Sequence, residues 1–281
     1  AGFPGTTDRL RSAAEASHYY STYYPRQQAL LADYSDVIAR ATAGDPDATL
    51  KYASIIRGAD NIKKKLIGQM QGADAVSLLA VKAAREKAFR DWAGATRARR
   101  SQYGPAIEAF DAEAARAMAA LGKEQTFALL NRAQLLSSAR LMYRWAQERE
   151  KADAERAIGF QDRDRQLIVE RLTQLEKRFA PKVDRAIFEA ALEEYRTLPV
   201  SARDADFEAM LAEVGMDALY AQTRLADTPT RLAWLDKPLA EFKSSDDPFI
   251  RLAAALVAVT TAVMLSATQS FQSFMGMSPS G

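Results

Sequence analysis

The chain has 281 residues, enough for one large hydrophobic core or two smaller ones. Its 38 basic and 36 acidic residues leave a net charge of only +2, without the one-sided basic excess of a nucleic-acid binder. Cysteine is absent, which removes disulfides and thiolate metal sites but fits the cytosol and the periplasm equally well.

Residues 1–10 read as a loop, because two glycines and a proline fall within the first five positions. This N-terminus lacks the basic start and apolar run of a signal peptide and has no initiator methionine, so it reads as a fragment or a processed chain. The tyrosine-rich stretch 12–24 leads to Pro25, placed to start a helix that reaches about Ala43 and ends at Gly44. Asp45 and Pro46 form an N-cap and first-turn pair. They open a second helix through Tyr52, Ile55 and Ile56 to about Met70, with Gly58 as a weak point. Gly72 is expected to break the chain and Asp74 to cap a third helix over 74–99. Its apolar stripe is Leu78, Val81, Ala88 and Trp92, and Lys82, Glu86 and Arg90 form the outer face at i, i+4 spacing.

Gly104 and Pro105 are expected to open a fourth helix that closes near Gly122. A fifth, over 125–157, carries Leu135, Ala139, Met142 and Ala146 on one stripe, and a sixth, over 162–179, repeats that spacing with Ile168, Leu172, Leu175 and Phe179. Pro181 begins a seventh that ends before Pro199, and shorter helices occupy 207–214, 217–225 and 230–235. No stretch alternates apolar and polar residues over strand length. The fold class is therefore all-α, a bundle of long antiparallel helices. Beyond Arg251 there is no charged side chain, and 252–267 is nearly continuous apolar sequence. That run falls short of the roughly 20 residues of a membrane span and is interrupted by Thr260, Thr261 and Ser266, so a buried core helix is favoured. The Ser, Gln, Met and Gly tail, 268–281, reads as poorly ordered.

Few residues could carry chemistry. His18 is the only histidine and sits in the tyrosine-rich segment, with no nucleophile signature such as G-x-S-x-G, so it reads as a partly buried packing residue. One histidine without cysteine does not make a zinc site. The carboxylate pairs Glu193 with Glu194 and Asp246 with Asp247 are sequence neighbours, which is poor geometry for a shared acid/base site. Phosphate-binding glycine motifs are absent, so no metal, cofactor or catalytic residue is assigned to this chain. The clusters Lys63-Lys64-Lys65 and Arg97-Ala98-Arg99-Arg100 read as solvated helix faces and ends.

Several runs carry a resemblance: Lys51-Tyr52-Ala53-Ser54, Ala59-Asp60-Asn61-Ile62-Lys63-Lys64 and Gly68-Gln69. Gly2-Phe3-Pro4-Gly5-Thr6-Thr7-Asp8-Arg9, Arg163-Asp164-Arg165, Pro181-Lys182-Val183-Asp184-Arg185 and Ser245-Asp246-Asp247-Pro248-Phe249 add to it in the expected order. Together, over about residues 1–256, they resemble the helical domain of bacterial serine dipeptidyl-peptidases, serine peptidase family forty-six. The resemblance implies a helical domain inserted in a chymotrypsin-like double β-barrel, whose Ser-His-Asp triad lies in flanking sequence. It implies a domain that covers the active-site cleft and restricts the enzyme to removing dipeptides from free N-termini, in the periplasm or secreted. The asparagine of the second run, Asn61 here, is then the substrate-binding residue that accepts a hydrogen bond from the substrate's N-terminal amine; an ammonium offers only donors, and an amide carbonyl accepts. Tyr52 either lines that cleft or packs in the core.

On this reading 1–10 is the end of a barrel segment, 11–267 the helical cap and 268–281 the tail. The expected partners are a peptide N-terminus, the flanking barrel and a second copy in a homodimer, with no nucleic acid and no membrane. From about Ala255 the uncharged sequence departs from the charged helical pattern of the family. The alternatives are a stand-alone helical interaction module and, more weakly, a peripheral membrane protein.

Overall fold

The computed structural model describes residues 11–256. The expected entry loop over 1–10, the apolar run beyond Leu256 and the tail lie outside them. Within the described residues the chain is helical and contains no strand, as the sequence pattern requires.

The first helix, α1 (Ala13–His18), starts with a capping box that the sequence reading passed over. Glu15 N–H donates to Ser12 Oγ at 3.1 Å, and Ser12 N–H donates to Glu15 Oε2 at 2.8 Å. A π-helical turn, Tyr19–Tyr23, carries the chain without a break into α2 (Tyr24–Ala41). Pro25 thus sits near the start of α2, as expected, but the helix does not begin there. Its ring would crowd the carbonyl four residues back, Ser21, and the wider π turn spans that position.

Gly44, at φ +78°, turns the chain, and Asp45 Oδ1 accepts the Ala48 N–H at 2.9 Å to cap α3 (Pro46–Ala75). The expected break at Gly72 does not occur, and Asp74 caps nothing. A helix-interior glycine costs only about 1 kcal/mol, which a 30-residue helix absorbs. The break falls instead at Ser77, held left-handed at φ 49°, before α4 (Leu78–Gly94). Gly104, Pro105 and Gly122 likewise fail to interrupt α5 (Arg97–Leu130), a rod of 34 residues and roughly 51 Å. The chain turns at Asn131–Ala133, so the expected helix over 125–157 is the end of α5 and then α6 (Gln134–Arg149).

After two short 3-10 turns come α7 (Arg165–Thr173), α8 (Leu175–Arg178) and α9 (Pro181–Arg196), close to the expected sixth and seventh helices. The shorter helices α10 (Ala205–Val214), α11 (Met216–Gln222), α12 (Thr228–Ala233) and α13 (Leu239–Lys243) come next, and 248–256 are helical. Among the described residues, helices of 30 residues or more are thus confined to α3 and α5, while α7 to α13 run from 4 to 16 residues.

The described residues divide into two units, one of 11–33 and 57–125, the other of 34–56 and 126–256. The second has a large aromatic core: Trp145, Phe188, Tyr195, Phe207, Phe242 and Phe249 are all buried. The stripe Leu135, Ala139, Met142 and Ala146 of α6 faces it, as do Ile168, Leu172 and Leu175. Trp145 Nε1 donates to the Leu235 carbonyl at 3.0 Å, so the buried indole keeps its hydrogen bond. The first unit buries mostly small residues, Ala16, Ala59, Ala73, Ala93 and Ala114, with Tyr24, Leu30, Leu31 and Leu66. Alanine at the contacts lets long helices approach closely.

In this first unit the faces of α4 depart from the sequence expectation. Of the expected stripe only Leu78 is half-buried; Ala88 is exposed, and Val81 and Trp92 are 41 and 43% exposed. Lys82, Glu86 and Arg90, expected outside, are half-buried. Lys82 Nζ donates to the Arg11 carbonyl at 2.6 Å, and Glu86 Oε2 accepts the Ala13 N–H at 2.7 Å. The α4 helix therefore binds the start of α1 by satisfying its end groups, which a count of apolar residues does not register.

Candidate functional site

Asn61 lies on α3 in the first unit, at an exposed position between the buried Ala59 and Leu66. Among the described residues no group hydrogen-bonds its side-chain amide, so its carbonyl is open to a ligand. Asp60 pairs with Lys63 at 2.8 Å, which offsets one of the three lysines in the run, and Lys64 and Lys65 point to solvent. A rigid helix presenting an acceptor is suited to hold a donor-only group such as an ammonium.

Tyr52, also on α3, is fully buried in the second unit. Gln134 Nε2 donates to its hydroxyl at 2.8 Å and also to the Arg178 carbonyl at 2.7 Å. Burial, then the nearby Asp184, pushes the Tyr52 phenol above its ordinary range. Tyr52 is a core residue and does not line an open cleft.

Asp184, on α9, is the polar centre of this unit, and sequence reasoning noticed it only as part of a resembling run. Its carboxylate accepts the N–H of Gln134 at 2.5 Å, the N–H of Leu135 at 3.5 Å and the Tyr220 hydroxyl at 3.1 Å. It thereby caps α6, whose own N-cap residue, Ala133, has no side chain to do so. Full burial pushes the carboxyl up to about 6, against the pull of those three donors.

The runs over 163–165 and 245–249 are structural in the same way. Asp247 accepts from Thr223 Oγ1 at 3.1 Å and from the N–H of Arg224 at 2.9 Å and of Phe249 at 3.0 Å, fixing the entry to the 248–256 helix. Asp164 Oδ2 accepts the Gln161 N–H at 3.1 Å, and Arg165 pairs with Asp236 at 2.7 Å.

The Arg97, Arg99 and Arg100 cluster occupies the first turn of α5, where Thr96 Oγ1 accepts the Arg99 N–H at 3.2 Å. It opens a helix where the sequence reading had it closing one, and the dipole opposes it by a few tenths of a kcal/mol. The Arg99 guanidinium lies 4.6 Å above the exposed Trp92 ring. His18 ends α1 and is half-buried, as expected. Beside it Tyr19 and Tyr23 pack 5.1 Å apart and Tyr20 and Tyr24 5.2 Å apart, with the Arg11 guanidinium 3.4 Å over the Tyr19 ring. The buried Gln125 holds this turn by donating to the Tyr23 carbonyl at 2.9 Å.

A family model described as Peptidase S46 matches residues 1–275. The chain belongs to the Peptidase S46 family. The S46 match extends past residue 256, where the resemblance read from the sequence stopped. The Asp/Glu-specific dipeptidyl-peptidase of Shewanella putrefaciens is 32% identical to this S46 chain over 262 residues, covering 91% of the chain and 35% of the relative. The crystal structure of Porphyromonas endodontalis DPP11 in complex with the dipeptide Arg-Glu superposes with a TM-score of 0.51 at 18% identity, a likeness of fold. It covers 99% of this chain and 42% of that one, so the chain spans well under half the length of both proteins.

Proposed function

We infer that this S46 chain is the helical substrate-gating domain of a serine exopeptidase that removes dipeptides from the free N-termini of oligopeptides. The observation that carries this reading is the family match over 1–275, in a chain that spans 35% of a dipeptidyl-peptidase. The remaining length of such a protein is where a chymotrypsin-like barrel with its Ser-His-Asp triad would reside, flanking residues 11–267. On this reading 1–10 is the last barrel segment before the insertion and 268–281 a tail. The enzyme works in the periplasm or outside the cell, and a homodimer is its expected assembly.

Asn61 anchors the substrate's N-terminal amine. Its exposed, unengaged amide on a long helix supports that role. A carboxylate from the barrel would balance the ammonium charge, because an amide dipole alone leaves it uncompensated. The name of the Shewanella relative, Asp/Glu-specific, raises acidic residues as a substrate class for this enzyme too.

The test is Asn61→Ala in the full-length enzyme, assayed on dipeptidyl substrates with a free amine. A lost hydrogen bond to a charged group predicts a fall in kcat/KM of roughly 10- to 100-fold. Unchanged kinetics would remove Asn61 from the site. A second reading, a stand-alone interaction module, draws on the exposed Phe89, Trp92 and Phe110. Triad segments flanking the chain in its full-length protein would exclude it.

A further inference from the structure

In the second unit a cleft of about 180 Å³ opens where the start of α6 meets α7 and α8. Arg132, Arg171 and Arg178 line it together with Asn131, Gln134 and Ser137, and no aspartate or glutamate does. Three guanidiniums around one small opening repel each other, and the chain as a whole carries almost as many acids as bases. Arg171 and Arg178 make no ion pair and no side-chain hydrogen bond with another described residue. Arg132 is held in place by its guanidinium lying 4.8 Å over the Tyr34 ring. The Gln134 side chain binds the Arg178 carbonyl, which fixes the backbone at the rim.

The size decides what enters. Pockets that hold whole small ligands run from about 300 Å³ upward, so this one takes a single group of a larger molecule. The guanidinium fork matches the two oxygens of an oxyanion with parallel N–H donors, and the Asn131 amide and Ser137 hydroxyl on the wall can add further hydrogen bonds.

We propose that this cleft binds one carboxylate of an acidic peptide. The choice of a peptide rests on the dipeptidyl-peptidase reading above; the choice of an oxyanion rests on the cleft alone. Isothermal titration of the full chain tests it with N-acetylated tetrapeptides, which have no free amine and so bypass Asn61. Failure here and failure of the amine anchor are therefore separate results. One peptide carries a glutamate and an amidated C-terminus, a second carries glutamine and a free C-terminus, and a third carries glutamine and an amidated C-terminus.

The first or the second should bind at least about tenfold tighter than the third. Which of them does so tells whether a side-chain or a terminal carboxylate is held. The variant Arg171→Gln/Arg178→Gln changes two exposed side chains and should lose that preference while keeping its helical circular dichroism. If the double variant does not fold, each single variant should weaken binding on its own. Equal affinity for all three peptides, binding of inorganic phosphate with no peptide preference, or variants that bind as tightly as the original would each overturn the proposal.

Discussion

The carboxylate of Asp184 receives the N–H of Gln134 at 2.5 Å, joining α9 to the first turn of α6 across fifty residues of sequence. The same carboxylate holds the hydroxyl of Tyr220, so three helices converge on one buried acid. Asp184→Ala should leave the start of α6 and a phenol unpaired in the interior. The expected loss is roughly 3 kcal/mol in a urea titration, with Asp184→Asn losing less because one acceptor remains.

Asp184 also makes a pH prediction. Its folded pKa, about 6, lies above the value of a free aspartate, so the folded state binds the proton more tightly. Its contribution to stability is present below about pH 4 and lost as pH rises through 6. The neighbouring Tyr34, Tyr52 and Tyr220 are all shifted upward and do not titrate in that window. Melting temperature tracked from pH 4 to 7 should fall more in the original protein than in Asp184→Asn. Parallel curves would remove Asp184 as the cause.

Arg231 is fully buried without a carboxylate. It donates to the carbonyls of Leu172 at 2.9 Å, Leu225 at 2.5 Å and Ala226 at 3.1 Å, and to Thr228 Oγ1 at 2.7 Å. Arg231→Lys should therefore destabilise nearly as much as Arg231→Met, each by roughly 2–4 kcal/mol, since one ammonium cannot span that fork. Thermal unfolding of the two variants side by side checks this. A silent Arg231→Lys would contradict it.

On α4 the charged face should matter more than the apolar one. Glu86→Ala removes the partner of the Ala13 N–H and should cost about 1 kcal/mol, whereas Val81→Thr at an exposed position should stay within about 0.5 kcal/mol. The Ala13 N–H, ahead of Arg90, pulls the Glu86 carboxyl below its usual range. The stability it provides is present above the ordinary glutamate pKa and is lost as pH falls through the lowered value. Acid unfolding of the Glu86→Ala variant should accordingly be shallower.

Asn61→Ala should leave the fold intact to within about 0.5 kcal/mol, because the side chain is exposed and unengaged. Denaturant midpoints of the two proteins measure this. A large loss would give Asn61 a structural role.

The α6 helix was readable because Leu135, Ala139, Met142 and Ala146 recur at helical spacing and the structure buries them, and α9 because Pro181 opens it ahead of Pro199. The features that stayed hidden depend on distant partners. The start of α6 has no local cap, since Ala133 cannot supply one and Asp184 does so from another helix. The faces of α4 were misassigned because Lys82 and Glu86 turn inward to backbone groups of the N-terminal segment. Glycine was overweighted: Gly72, Gly104 and Gly122 are all tolerated inside long helices, while Ser77 makes the left-handed turn. The capping box at Ser12 was legible as S-x-x-E and was missed beside the tyrosines.

The π turn at Tyr19–Tyr23 holds one residue more than an α-helical turn would need. An extra residue rotates α1 by about 100° relative to α2. That rotation sets which side of α1 meets α4, and with it the approach of the Ala13 N–H to Glu86 and of the Arg11 carbonyl to Lys82. The tyrosine run thus acts as a phase setting for the N-terminal segment. Its length, more than the identity of any one ring, is what the remainder of that unit reads.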